Sequence, residues 1–235
     1  GRFSAVSALK EGWIAHKRLV LQTAVLAMSF AAVVWLGYEF YRLLWQPARI
    51  GPIQIHPGAV DLEQRHEDLR HLFAGEPIYV VGRTAPYPPA SIAMLWLFLG
   101  WLELVPAIRL WAATTVAMLG WLVCLILRGS LADTPLEKLF VALIPLSMYA
   151  TGATIGNGQL LVHLLPMLVT GLCLFASGPR GWPRDLLAAS LVIFSLVKPS
   201  VTVPFFWIVL FTPGRIRPAL LVCLGYAALT LFAAS

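Results

Sequence analysis

Apolar runs of membrane length recur along this chain, separated by short stretches that hold nearly all of its Arg, Lys, Asp, Glu and Pro. The first extends from about Leu19 to Trp45; others cover roughly 90–102, 107–127, 137–150, 160–176, 186–197, 200–212 and 218–234. A run of about 18 apolar residues can cross a hydrocarbon core ~30 Å thick as a helix. In that core only helices and closed barrels satisfy their backbone polar groups internally. These runs are continuously apolar rather than alternating, which selects helices. The expected fold is therefore all-α: a polytopic transmembrane helix bundle with an extracytoplasmic loop bearing an interfacial helix. Charged residues form 12% of the chain, against about 25% in soluble domains, and that excludes a soluble reading.

The net charge of +6 does not point to nucleic acid. Most basic residues sit in short loops beside the apolar runs, as the positive-inside rule expects. Cys124, Cys173 and Cys223 each lie within an apolar run, so packing is their expected role, not a disulfide framework or a zinc site. No metal-ligand spacing, nucleophile motif or cofactor signature is found. Gly156-Asn157-Gly158 lacks the preceding strand and the lysine–serine ending of a phosphate-binding loop.

Residues 1–18 form a basic lead containing Lys10, His16, Lys17 and Arg18, expected in the cytoplasm. Residues 19–45 are the first transmembrane helix, too long for a cleaved signal. Glu39 and Arg42, three apart near its outer end, read as a local pair at the interface. Residues 46–88 are the extracytoplasmic loop, beginning with Pro47, Pro52 and Pro57. A helix follows from Asp61 to Phe73, with Leu62, Leu69, Leu72 and Phe73 near one face, the pattern of a helix lying on the membrane. Gly75 and Pro77 end it, and Tyr87-Pro88-Pro89 leads back into the bilayer. Residues 89–235 are the transmembrane bundle; a chain opening at Gly1 and closing in an apolar run reads as truncated at its C-terminus. Arg180, Arg184, Arg215 and Arg217 mark cytoplasmic turns, which puts Lys198 and the Gly156–Gln159 stretch outside. Parity then requires one segment between 90 and 127 not to cross, and 90–102 is the shortest.

Several residues admit both a structural and a chemical reading. Asp61 fits a helix N-cap, with Gln64 completing a capping box, and also a carboxylate facing a cavity. Lys198, between two short apolar segments and before Pro199, either snorkels to the interface or meets an anion. Gln159 and His163 are one turn apart and share a helix face, with Asn157 just before; interhelical hydrogen bonds and a polar cavity wall both fit. The small-residue stretch Thr151–Gln159 reads as non-helical backbone covered by protein or lining a wet cavity. Tyr87 belongs to a rigid turn, and Trp96, Trp101, Trp111 and Trp121 to the interfacial belt and packing.

The order of these features resembles glycosyltransferase family 87 of the GT-C superfamily, the polyprenyl-phosphate-mannose-dependent mannosyltransferases and their relatives. The residues concerned are Asp61 opening the helix, Leu72-Phe73-Ala74-Gly75-Glu76-Pro77-Ile78-Tyr79, Tyr87-Pro88-Pro89, Gly158-Gln159 and Lys198-Pro199. The resemblance implies an inverting transfer of mannose or a pentose from a polyprenyl-phosphate donor to an extracytoplasmic acceptor. Asp61 would be the general base, Lys198 a donor-phosphate contact, and Tyr87, Gln159, His163 and Asn157 substrate-binding residues. No cofactor is implied beyond the lipid-linked donor. Membrane lipids and other membrane subunits are the expected partners, and the bacterial inner membrane, crossed several times, the expected location. The charged run Glu63–Asp68 departs from the family's more apolar helix. That keeps a non-catalytic membrane subunit, a relative used as scaffold, as the second reading, and a transporter of lipid-linked solutes as the third.

Overall fold

With no proline before Pro47, nothing stops the first helix at the boundary between basic lead and apolar run. In the computed structural model α1 spans Arg2–Trp45 unbroken. The residues described are 2–47, 57–77, 87–177, 181–212 and 216–234, with side chains from His16 onward. Ile78, Tyr79, Pro52, Arg180 and Arg215 of the sequence reading lie outside them. The described residues are otherwise α2 (Val60–Phe73), α3 (Pro89–Leu99), α4 (Leu104–Gly129), α5 (Pro135–Ser147), α6 (Tyr149–Gly156), α7 (Leu161–Ala176), α8 (Trp182–Ser195), α9 (Pro199–Phe211) and α10 (Ile216–Ala234), with no strand among them. The chain is thus an all-helical protein. Three described helices are long and apolar enough to cross a membrane: α1 from His16, α4 and α10. Counting α5 and α6 as one span bent by 48° makes a fourth.

Contacts establish which helix ends share a side. Lys17 Nζ lies 3.1 Å from Glu137 Oε1, so the apolar part of α1 and helix α5 begin at one level. At the far end of α1, Arg42 meets Asn157, the residue after α6. Helix α7 starts beside that turn and runs away from it. At its far end Arg184 of α8 donates to the Leu174 and Ser177 carbonyls, and Arg217 of α10 lies 3.4 Å from Asp185. The other end of α10, at Phe232–Ala234, lines a hollow with Leu72, Phe73 and Glu76 beside α2. The bundle therefore has an α2 side and a Lys17 side, and α1, α4, the α5–α6 pair, α7, α8, α9 and α10 run between them.

Helix α3 breaks the alternation. It has 11 residues, about 16 Å of helix, roughly half a hydrocarbon core. Both of its ends meet adjacent residues of α2. Arg65 lies 4.5 Å over the Tyr87 ring just before α3, and His66 Nε2 is 2.8 Å from the Leu102 carbonyl just after it. A helix of that length is too short to carry the chain across a hydrocarbon core by itself.

The expected surface position of α2 needs correction. Leu62 and Leu69 are 1% exposed, in the main core cluster with Ile92, Leu99, Ile155 and Leu160. Glu63, Arg65 and His66 are also buried, so α2 docks on protein rather than on lipid. The stretch 151–156 is helical, not irregular, because Gly152 lets α6 press on the Trp35 indole. Of the tryptophans assigned to the belt and packing, Trp111 packs in the core at 6% exposed. The three cysteines are exposed rather than packed inside, among an outer surface rich in exposed Leu, Val and Phe such as Phe30, Val33, Leu224 and Leu231.

In a variant lacking the three native cysteines, Glu76→Cys and Glu103→Cys should react with a membrane-impermeant maleimide from the same side of sealed vesicles, and Leu131→Cys only from the other. Glu76 and Glu103 labelling from opposite sides would mean that α3 crosses.

Candidate functional site

The site is built where α1 ends. Glu39 is 1% exposed on its side chain, and Arg42, one turn later, is 13% exposed and 2.7 Å away. A guanidinium offers five donors in a fixed fork, and Arg42 spreads them over three elements. Besides Glu39 Oε2 it reaches the Pro57 carbonyl at 2.8 Å and Asn157 Oδ1 at 3.3 Å. The local pair is present as the spacing suggested, but it is buried and not an interfacial ornament. The backbone completes the junction. The amide of Gly58 donates to the Gln46 carbonyl, that of Ala59 to Gly156, and that of Asp61 to Asn157 at 2.9 Å.

Glycines make this approach possible. A Cβ on Gly58 would stand 2.1 Å from the Arg42 carbonyl oxygen, and one on Gly156 would stand 1.8 Å from Glu39 Oε2. Gly158 adopts φ +69°, a left-handed conformation that costs glycine little. Ala59 adopts φ 57° without that freedom, and its amide bond to Gly156 helps hold it there.

Ala59, and not Asp61, is the N-cap residue of α2, and no side chain caps this helix. The expected capping box at Asp61 and Gln64 is therefore absent; the box that does form is Thr134 with Glu137 at α5. Asp61 sits in the first turn, half-buried. Among the described residues its carboxylate makes no hydrogen bond or ion pair. Tyr87 and Arg65 are its charged and polar surroundings. Burial pushes the Tyr87 phenol above its ordinary value; the Arg65 guanidinium opposes the shift and the Asp61 charge adds to it. Arg65 is itself held by Asp68 at 2.7 Å.

The structure thus brings Asp61, Tyr87 and Asn157 to one junction, with Gln159 two residues after Asn157 in the same turn. Lys198 is the N-cap residue of α9 and half-exposed, on the α2 side, and its ammonium has no anionic partner among the described residues. Gln159 lies in the turn before α7, so the helix face expected to unite it with His163 does not form. His163 instead faces a cavity of about 70 Å³ lined by Met94, Leu95, Trp111, Thr114 and Leu164 among others. Its Nε2 is 3.0 Å from Thr114 Oγ1, the Trp111 ring lies at 4.1 Å tilted by 35°, and its Nδ1 has no partner among the described residues. Neither Asp61 nor Lys198 lines this cavity. Sequence reasoning undervalued Glu39 and Arg42, and missed the Arg65–Tyr87 contact. Two opposite charges inside an otherwise apolar 19–45 run were the available signal for the first.

No protein-family model, curated protein or solved structure matches this chain. Among the described residues no group of three or more His, Cys, Asp or Glu side chains could hold a metal ion.

Gly58→Ala and Gly156→Ala should each lose at least about 2 kcal/mol of stability through forced overlap, seen as a fall in Tm in detergent. Gly37→Ala and Gly120→Ala, which meet nothing within 4 Å, should be neutral or gain up to about 1 kcal/mol.

Proposed function

We propose that this chain is a membrane glycosyltransferase that moves mannose or a pentose from a polyprenyl-phosphate donor to an acceptor hydroxyl, with inversion. The observation carrying the reading is the Asp61 carboxylate, half-buried in the first turn of α2 and without a partner among the described residues. A general base needs a carboxylate within reach of the hydroxyl it deprotonates, and a purely structural Asp would normally be satisfied by its own fold. The resemblance in the order of Asp61, Tyr87-Pro88-Pro89, Gly158-Gln159 and Lys198-Pro199 supports the same assignment.

In this mechanism Asp61 accepts the acceptor's proton as its oxygen attacks the anomeric carbon. The bond from that carbon to the phosphate oxygen breaks, and polyprenyl phosphate departs as an anion without a general acid. Positive charge near the departing oxygen stabilises it, the role proposed for Lys198, which stands on the α2 side without an anionic partner. Tyr87 stays protonated at neutral pH, its phenol raised by burial, and so can donate to a sugar oxygen. No metal or cofactor is needed. On the described residues the Lys17 side carries Lys17, Arg18, Arg128, Lys138, Arg184 and Arg217. By the positive-inside rule that side is cytoplasmic, with Asp61 on the opposite face, where lipid-linked sugars serve as donors.

A second reading, a non-catalytic membrane subunit, is favoured by the charged run Glu63–Asp68, of which Glu63, Arg65 and His66 are buried in the packing of α2, where the resemblance implies a more apolar helix.

Purified protein given a radiolabelled polyprenyl-phosphate sugar should transfer it to an acceptor, and Asp61→Asn should lower the rate by about 100-fold or more. Transfer that survives Asp61→Asn removes Asp61 as base. No transfer by folded protein across mannose and pentose donors favours the subunit reading.

A further inference from the structure

We infer that Arg42, oriented by Glu39, is the positioning residue for Asp61: a membrane-embedded ion pair that sets where the carboxylate of the next element stands. The inference rests on the glycosyl-transfer reading. Asp61 has no side-chain bond to hold it, so its place depends on its backbone. Beyond Asp61 that backbone follows α2, packed through Leu62 and Leu69; before it, residues 57–61 set where the helix begins.

The ties are specific. Arg42 grips the Pro57 carbonyl four residues before Asp61, at 2.8 Å, and Asn157 Oδ1 at 3.3 Å. The carbonyl of that same Asn157 accepts the Asp61 amide at 2.9 Å, and its neighbour Gly156 accepts the Ala59 amide at 2.7 Å. One guanidinium therefore holds both the strand of chain entering α2 and the turn on which the Asp61 amide hangs. Ala59 is kept left-handed between these two anchors, which gives the first turn of α2 its direction. Glu39, 1% exposed and pressed against Gly156, fixes the plane of the fork. A bare stabilising pair would need only one partner, whereas Arg42 Nη2 also reaches the Pro57 carbonyl on the segment that bears the carboxylate and Asn157 Oδ1 in the turn that holds it.

Lysine at this position keeps the charge but offers a point ammonium in place of a planar fork. It cannot span Glu39, Pro57 and Asn157 together. Arg42→Lys should keep the protein folded while letting the α2 start drift, and misplacement near 1 Å can cost on the order of 100-fold in rate.

The test compares wild type, Arg42→Lys, Arg42→Gln and Asp185→Asn, each as purified full chain with Tm measured. Asp185→Asn breaks a buried pair with Arg217 on the opposite side and controls for general loss of stability. Expected is a fall in kcat of about 10- to 100-fold for Arg42→Lys, with donor KM within about threefold, while Asp185→Asn keeps kcat even if its Tm falls further. A second readout needs no turnover: the rate at which Asp61→Cys reacts with a charged thiol reagent, in a background lacking the native cysteines, should change at least fivefold when Arg42→Lys is added. Folded Arg42→Lys with wild-type kcat, or an unchanged thiol rate, overturns the inference. A wild type that transfers no sugar, or does so independently of Asp61, overturns the glycosyl-transfer reading instead, and the thiol rate then decides the positioning alone.

Discussion

A charge pair inside an apolar helix is the constraint around which this molecule is arranged. Taking Glu39 and Arg42 out of water costs several kcal/mol per ion, and their mutual attraction offsets this only if the remaining donors and acceptors are also satisfied. Arg42 has more donors than Glu39 can accept, so it draws in Pro57 and Asn157. Those two residues belong to segments far apart in the chain. Meeting the needs of one guanidinium therefore joins α1, the start of α2 and the α6–α7 turn, and requires glycine at 58 and 156, where any Cβ would collide.

The same logic governs the rest of the bundle. Charged and polar groups turn inward or sit at the two ends: Arg217 with Asp185 and over Trp182 at one end, Arg65 over Tyr87 and beside Asp68 at the other. The outside is left to leucine, valine and phenylalanine. Small residues permit close helix approach where no polar contact is available, as at Gly171 against Val192 and Ala188. Short α3 is flanked by two contacts with one turn of α2, through Tyr87 before it and Leu102 after it.

Much of this was legible in the sequence. The all-helical character followed from uninterrupted apolar runs, and the shorter of the two runs between 90 and 127, which charge parity singled out, is the 11-residue α3. The break at Lys198-Pro199 was read correctly, since proline cannot continue a helix. The errors have identifiable causes. Asp61 looked like a cap by residue type, but capping is decided by backbone geometry, and a left-handed Ala59 took the position. Thr151–Gly156 looked irregular because glycine lowers helix propensity, yet packing against Trp35 and Glu39 overrode it. Gln159 and His163 were placed on one face by assuming a helix that begins two residues later.

The sequence by itself determined what each segment must be. Apolar length dictates helices in hydrocarbon, proline and glycine dictate where they stop, and arginine distribution dictates which ends gather together. Tertiary structure alone decided which polar side chains meet. Asp61, Tyr87 and Asn157 converge because α2 is folded back against α3 and pinned under Arg42, while His163 on α7 faces a separate cavity. Hydrophobic periodicity is a one-dimensional signal set by the water–hydrocarbon boundary, and it holds no information on pairings between residues over a hundred positions apart. Those pairings come from satisfying buried donors and acceptors in three dimensions.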